Sequence, residues 1–158
     1  VTASRGSTGS MMAGRGAVFH YVSGSPWQLY QPIQDFIVGQ GFPAGSMHLK
    51  QLRFLDSSFI KFVQADQLAY KTEIIEGIIA DFPERTFVLV GDSGEKDPEV
   101  YAAIAGKHSS RVQAVLIRDL GNAPQSRYDQ LFGALPVRFH LFSDAVSVKD
   151  IVASLPAQ

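Results

Sequence analysis

The stretch FVLVGDSGEKDPEV, residues 87–100, constrains the fold of this chain more than any other. Phe87, Val88, Leu89 and Val90 run unbroken into Gly91, the pattern of a strand buried on both faces. Asp92 and Asp97 follow with four residues between them. Pro98 then opens a helical pattern that carries Val100, Tyr101 and Ile104. A strand that stops at an acidic, glycine-bearing loop and feeds a helix is how α/β proteins build sites at the carboxyl ends of their strands. Carboxylates held there suit a hard cation such as Mg²⁺, which takes oxygen ligands and keeps several waters. The plainer alternative is that Asp97 caps the helix and Asp92 shapes the turn. For a pair beside Gly91 and Gly94, at the end of a buried strand, metal binding is the better reading.

The rest of the chain falls in around this unit. Residues 1–16 are rich in Gly, Ser and Thr and carry no hydrophobic period, so they read as a linker or disordered tail. Residues 17–158 read as one domain. Residues 17–22 (AVFHYV) predict a strand. Ser25 and Pro26 then read as the cap and first residue of a helix that carries Ile33, Phe36 and Ile37 and stops at Gly39 and Gly41. A short strand is expected at 46–49, and 50–68 fits either a hairpin or a broken helix. Residues 70–82 give the clearest helix, with Ile74, Ile75, Ile78, Ile79 and Phe82 in one stripe and Pro83 as its stop. Strands follow at 112–117, ending at Arg118-Asp119, and at 137–142. Ser147 is expected to cap a last helix. Strands alternating with helices predict an α/β fold with a parallel sheet covered on both faces.

Composition excludes several function classes. Charges nearly cancel, at a formal net of −1, and leave no electrostatic footprint for nucleic acid. With no cysteine, disulfides and thiolate metal sites are excluded. No apolar run approaches the roughly 20 residues of a membrane helix, and no signal-peptide core is evident. A soluble, cytoplasmic domain is the expectation. The chain begins at Val1, so its natural start is expected to lie further upstream.

Other residues carry weaker signals. Gly91-Asp92-Ser93-Gly94 has the letters of a trypsin-like nucleophile loop, which would make Ser93 the nucleophile. Its strand-to-helix context argues against that reading. Ser23 and Gly24 end a strand ahead of a helix, an arrangement that can cradle phosphate with backbone N–H groups and a hydroxyl, or be an ordinary turn. Lys71 sits at the amino end of the clearest helix, where the helix dipole disfavours a cation. It either reaches a phosphate or carboxylate, or is a solvated surface lysine. His20, His48, His108 and His140 show no metal-ligand spacing.

In order, a Ser at a strand end, a Lys at a helix start and a Gly-Asp-x-x-x-x-Asp loop resemble motifs two to four of the haloacid dehalogenase superfamily. FHYVSGSPWQLY (19–30), FVLVGDSGEKDPEVY (87–101) and VLIRDL (115–120) narrow the resemblance to the catalytic domain of the actin-patch phosphatidate phosphatase family. The resemblance covers roughly residues 16–120. It implies a Rossmann-like three-layer sandwich and Mg²⁺-dependent hydrolysis of phosphatidate, a phospholipid, with peripheral contact with membranes. In that scheme Ser23 and the Gly24 backbone hold the phosphoryl group, Lys71 neutralises its charge, and Asp92 and Asp97 hold Mg²⁺. The superfamily's nucleophile lies in an Asp-x-Asp-x-Thr motif on the first strand. These 158 residues hold no such motif, and no Asp or Glu precedes Asp35. The expectation is therefore a haloacid dehalogenase-type domain lacking its first strand, active in its parent and inert as written. A phosphatase-like module that binds phosphate or a partner without turnover is the alternative.

Overall fold

The computed structural model describes residues 16–51, 67–143 and 145–155. All of the tail expected at 1–16 except Gly16, and most of the ambiguous stretch, 52–66, lie outside the described residues. Strand β1 (Phe19–Pro26) leads through a single 3-10 turn (Trp27–Leu29) into α1 (Tyr30–Gly39), and β2 (Gly45–Lys50) follows. Then come α2 (Gln67–Asp81), β3 (Phe87–Asp92), α3 (Asp97–Lys107), β4 (Val112–Arg118), α4 (Gln125–Phe132), β5 (Arg138–Phe142) and α5 (Ala145–Ser154).

The strands form two parallel sheets, β1-β2 and β3-β4-β5. Strand β4 is central to the larger one and shows why it is so apolar. Val115 and Ile117 face a cluster built with Ile75 and Ile79 of α2, Val100 and Ile104 of α3, and Tyr128 and Phe132 of α4. Ala114 and Leu116 face the other way, onto Val152 and Leu155 at the end of α5. Alternate residues of one strand thus enter two cores, which requires helices on both faces. This is the expected three-layer α/β sandwich.

The smaller sheet joins the same body through α2. Val22 of β1 packs on the larger core. The ring of Phe82, just past the carboxyl end of α2, lies 5.3 Å from that of His20 near the start of β1. Helix α2 therefore runs antiparallel to β1. It precedes β3 and delivers Lys71, in its first turns, to the carboxyl end of that strand, so the carboxyl ends of β1 and β3 share one edge. Arg111 secures the far end of α2. Its Nη2 donates to the carbonyls of Phe82, at 2.6 Å, and of Arg85, while its guanidinium lies 5.7 Å from the Phe87 ring.

Several local expectations are corrected. Ser25-Pro26 does not start a helix. Regular pairing of β1 with β2 breaks after Ser23, yet Pro26 still pairs with Lys50, so the chain stays extended to Pro26. Ser25 bonds back to Ser23 instead, backbone N–H to Oγ at 3.2 Å. The last helix begins at Ala145, two residues ahead of Ser147. Helix α4 was not expected from the sequence. It is mostly polar and buries only Tyr128 and Phe132, one turn apart, too little to show a period.

Candidate functional site at the carboxyl edge

The acidic loop after β3 is built around Gly91. A Cβ there would sit 2.5 Å from Asp97 Oδ2 and 2.8 Å from the Tyr101 ring. Glycine is what lets the Asp97 carboxylate fold back against the strand end. Asp97 is the first residue of α3 and Lys96 its N-cap, with no side-chain cap bond, so the capping reading of Asp97 fails. One Asp97 oxygen accepts from the Asp92 backbone N–H at 3.3 Å. The other lies 2.6 Å from Lys71 Nζ. The Asp92 carboxylate accepts from the Gly94 N–H at 2.8 Å. Asp92 and Asp97 are both nearly buried, at 9% and 8% exposure.

Lys71 is not a surface lysine. It is 5% exposed, and its ammonium also meets Glu95 at 2.7 Å. Burial alone would lower its pKa, but the charge and hydrogen bond of Asp97, with those of Glu95, outweigh burial and raise it. The stability Lys71 adds is therefore fully present at neutral pH and is lost only as pH climbs through the raised value, above the ordinary lysine range near ~10.4. Tyr101 is shifted well upward by burial and then by Asp97, Asp92 and Glu95. It stays neutral and donates to the Val90 carbonyl at 3.0 Å.

Ser93 has a different role from a nucleophile. It is 2% exposed, donates to Asn122 Oδ1 at 2.6 Å and accepts from the Leu120 N–H at 2.9 Å. Asn122 returns a bond to the Ser93 carbonyl at 3.1 Å. Arg127 donates to the same carbonyl at 3.4 Å and grips Glu99 of α3 with two nitrogens. Ser93 thus ties the acidic loop to the loop after β4, and no histidine is among its hydrogen-bond partners. These partners agree with the sequence context in arguing against a serine nucleophile. Arg118 is the register partner of Asp92, while Asp119 turns its carboxylate onto the Gly121 N–H at 2.9 Å.

A family described as the phosphatidate phosphatase APP1 catalytic domain matches residues 8–119. The chain belongs to that family. It is 35% identical over 105 residues to phosphatidate phosphatase APP1 of Saccharomyces cerevisiae, a match covering 66% of this chain and 17% of that protein. It is 30% identical over 111 residues to an uncharacterized protein of Schizosaccharomyces pombe, covering 70% of this chain and 18% of that one. The chain therefore spans less than a fifth of the length of either relative. No solved structure matches it.

Of the residues expected to act in this APP1-type domain, Lys71, Asp92 and Asp97 are linked by direct hydrogen bonds. Ser23 and Gly24 lie on the same edge, at the break in β1 pairing, but the Ser23 hydroxyl donates to Ser25 at 3.0 Å and contacts neither acid. Sequence reasoning missed Glu95, the second anion on Lys71, and Lys50. Lys50 is buried at the end of β2, 6.0 Å from the Tyr70 ring centroid. Neither carries a local pattern, since both depend on what lies across the edge.

The donor set suits Mg²⁺ in kind. No group of three or more His, Asp or Glu able to hold a metal occurs among the described residues. Mg²⁺, however, commonly takes one or two carboxylates, with waters and substrate oxygens completing its shell. Two nearly buried acids at a strand end meet that demand. The loop also has a sharp structural test. Gly91→Ala forces a methyl into the Asp97 carboxylate, so it is expected to destabilise the fold by about 1–3 kcal/mol, the range for overpacking. Thermal unfolding checks this, and an unchanged midpoint would contradict the role given to Gly91.

Proposed function

We propose that the parent protein is a Mg²⁺-dependent phosphomonoesterase acting on phosphatidate, with this edge as its phosphate and metal site. The observation that carries the proposal is Lys71, a buried cation held by Asp97 where β3 delivers its acids. Lys71 neutralises phosphoryl charge, and Asp97 sets its position. Ser23 and the Gly24 N–H orient the phosphoryl oxygens from the facing strand. Asp92, backed by Asp97, would hold the cation, which would supply charge shielding for the phosphoryl group. Release of phosphate from a substrate embedded in a bilayer implies peripheral contact with membranes.

Two substitutions separate this reading from a serine hydrolase. Asp92→Asn in the full-length protein is expected to lower phosphate release by about 10²-fold or more, as for loss of a principal electrostatic group, with partial recovery at high Mg²⁺. Ser93→Ala leaves the Leu120 N–H and the Asn122 oxygen short of a partner and costs about 1–3 kcal/mol of stability, while substantial turnover remains. Rates of both variants across a Mg²⁺ titration decide the matter. A dead Ser93→Ala beside a near-normal Asp92→Asn would overturn the metal site.

A further inference from the structure

On the smaller sheet, away from the Lys71–Asp97 contact, two imidazoles converge on one point. His20 lies near the start of β1; Ser46 and His48 lie on β2. Parallel pairing sets Ser46 beside His20, and the two-residue period of a strand returns His48 to the face of Ser46. His20 Nδ1 lies 2.7 Å from Ser46 Oγ. His48 Nε2 lies 2.8 Å from the same oxygen. The ring centroids are 6.1 Å apart. The Phe82 ring backs His20 from α2. Ser46 is exposed, so its oxygen is open to solvent.

A hydroxyl has a single proton. It can donate to one of the two nitrogens, and the other must then donate to it. The oxygen can equally accept from both rings, and in every case both nitrogens are within hydrogen-bond distance of the same oxygen. Zn²⁺ binds imidazole nitrogen at about 2.0–2.1 Å. Drawing each nitrogen in by roughly 0.7 Å toward the place now filled by Ser46 Oγ reaches that distance, with Ser46 rotated aside. We propose that His20 and His48 form a surface site for a divalent transition ion of imidazole preference, Zn²⁺ among them. The ion takes two protein nitrogens. Its remaining positions are filled by water, so the site is open to a further ligand. Nitrogen donors of this kind suit Zn²⁺, Ni²⁺ and Cu²⁺ rather than Mg²⁺, which separates the site chemically from the acidic edge.

The experiment is a calorimetric titration of the full-length protein with Zn²⁺, in Mg²⁺-containing buffer so that the oxygen site is occupied. One Zn²⁺ is expected to be lost from the stoichiometry in His20→Gln and in His48→Gln, with at least a tenfold weakening at that site. Ser46→Ala clears the convergence point and is expected to bind as tightly as the unmodified protein or tighter. His140→Gln, on β5, is expected to change nothing. Thermal unfolding in chelator verifies that each variant is folded. A double variant, His20→Gln/His48→Gln, that is folded and binds Zn²⁺ with unchanged stoichiometry and affinity would overturn the site. So would a tenfold loss confined to Ser46→Ala, which would make the hydroxyl, and not the imidazoles, the ligand.

Discussion

Lys71→Ala in the full-length protein is expected to slow phosphate release about a hundredfold, which is about 2.7 kcal/mol of charge stabilisation, and to lower the unfolding midpoint as well. From the sequence alone, this lysine is expected to contribute to turnover with little effect on folding. The structure changes that expectation. Lys71 is 5% exposed and bonded to Asp97, itself 8% exposed. Removing one partner of a buried pair leaves the other charge without compensation and costs about 3–5 kcal/mol. For a domain of this size that corresponds to a fall of roughly 10 °C. Glu95 is over half exposed, and Glu95→Gln is expected to cost under about 1 kcal/mol. Activity measured well below each midpoint separates the two effects. A Lys71→Ala protein with wild-type midpoint and wild-type rate would return Lys71 to the solvated surface. A lowered midpoint with full activity would leave it a structural cation only.

Residues 1–158 on their own are expected to release no phosphate above background. A covalent route needs a carboxylate nucleophile, and the proposed site already commits Asp92 to the cation and Asp97 to Lys71 and the Asp92 backbone. The sheets point the same way. Among the described residues β1 pairs with β2 alone and β3 with β4 alone, so each presents one side without a strand. Unpaired backbone groups cost about 1–3 kcal/mol each when buried, against a total stability of about 5–15 kcal/mol. Joined to a segment carrying Asp-x-Asp-x-Thr that can pair between β1 and β3, the chain is expected to gain cooperative unfolding and Mg²⁺-dependent turnover together. Cooperative folding with turnover by residues 1–158 alone would refute both halves.

How much could be read from the sequence depended on how far apart the interacting residues lie. The helix over α2 was legible because its apolar residues repeat along one face, and the strand at 87–90 from its unbroken apolar run, although it is not buried on both faces as expected: Leu89 is buried and Val90 is exposed. The acidic loop was legible because its two aspartates and two glycines fall within seven residues. Asp97 also fitted a helix cap, because Pro98 follows it, and its place as the first residue of α3, bonded to a lysine 26 residues upstream, removes that alternative. The four letters around Ser93 raised a nucleophile reading that its strand-to-helix context argued against, but the bond to Asn122, 29 residues away, could not be read locally. The histidines gave no ligand spacing because His20 and His48 meet across a strand pair, at a separation fixed by register and invisible to any local pattern. Helix α4 was missed because a short polar helix buries too few side chains to leave a period.

The clasp of Arg111 on the carbonyls of Phe82 and Arg85 has a consequence at a distance. Helix α2 behaves as a rod, and the eleven residue steps from Lys71 to Phe82, just past its end, span about 16 Å at the α-helical rise. Arg111 fastens the far end of that rod to the start of β4. Sliding along the helix axis would break the bonds at the clasp before it could move the ammonium. The reach of Lys71 toward the acids is thus set by an anchor that touches none of them. Loosening that anchor would make the cation at the other end wander, with every residue of the site itself unchanged.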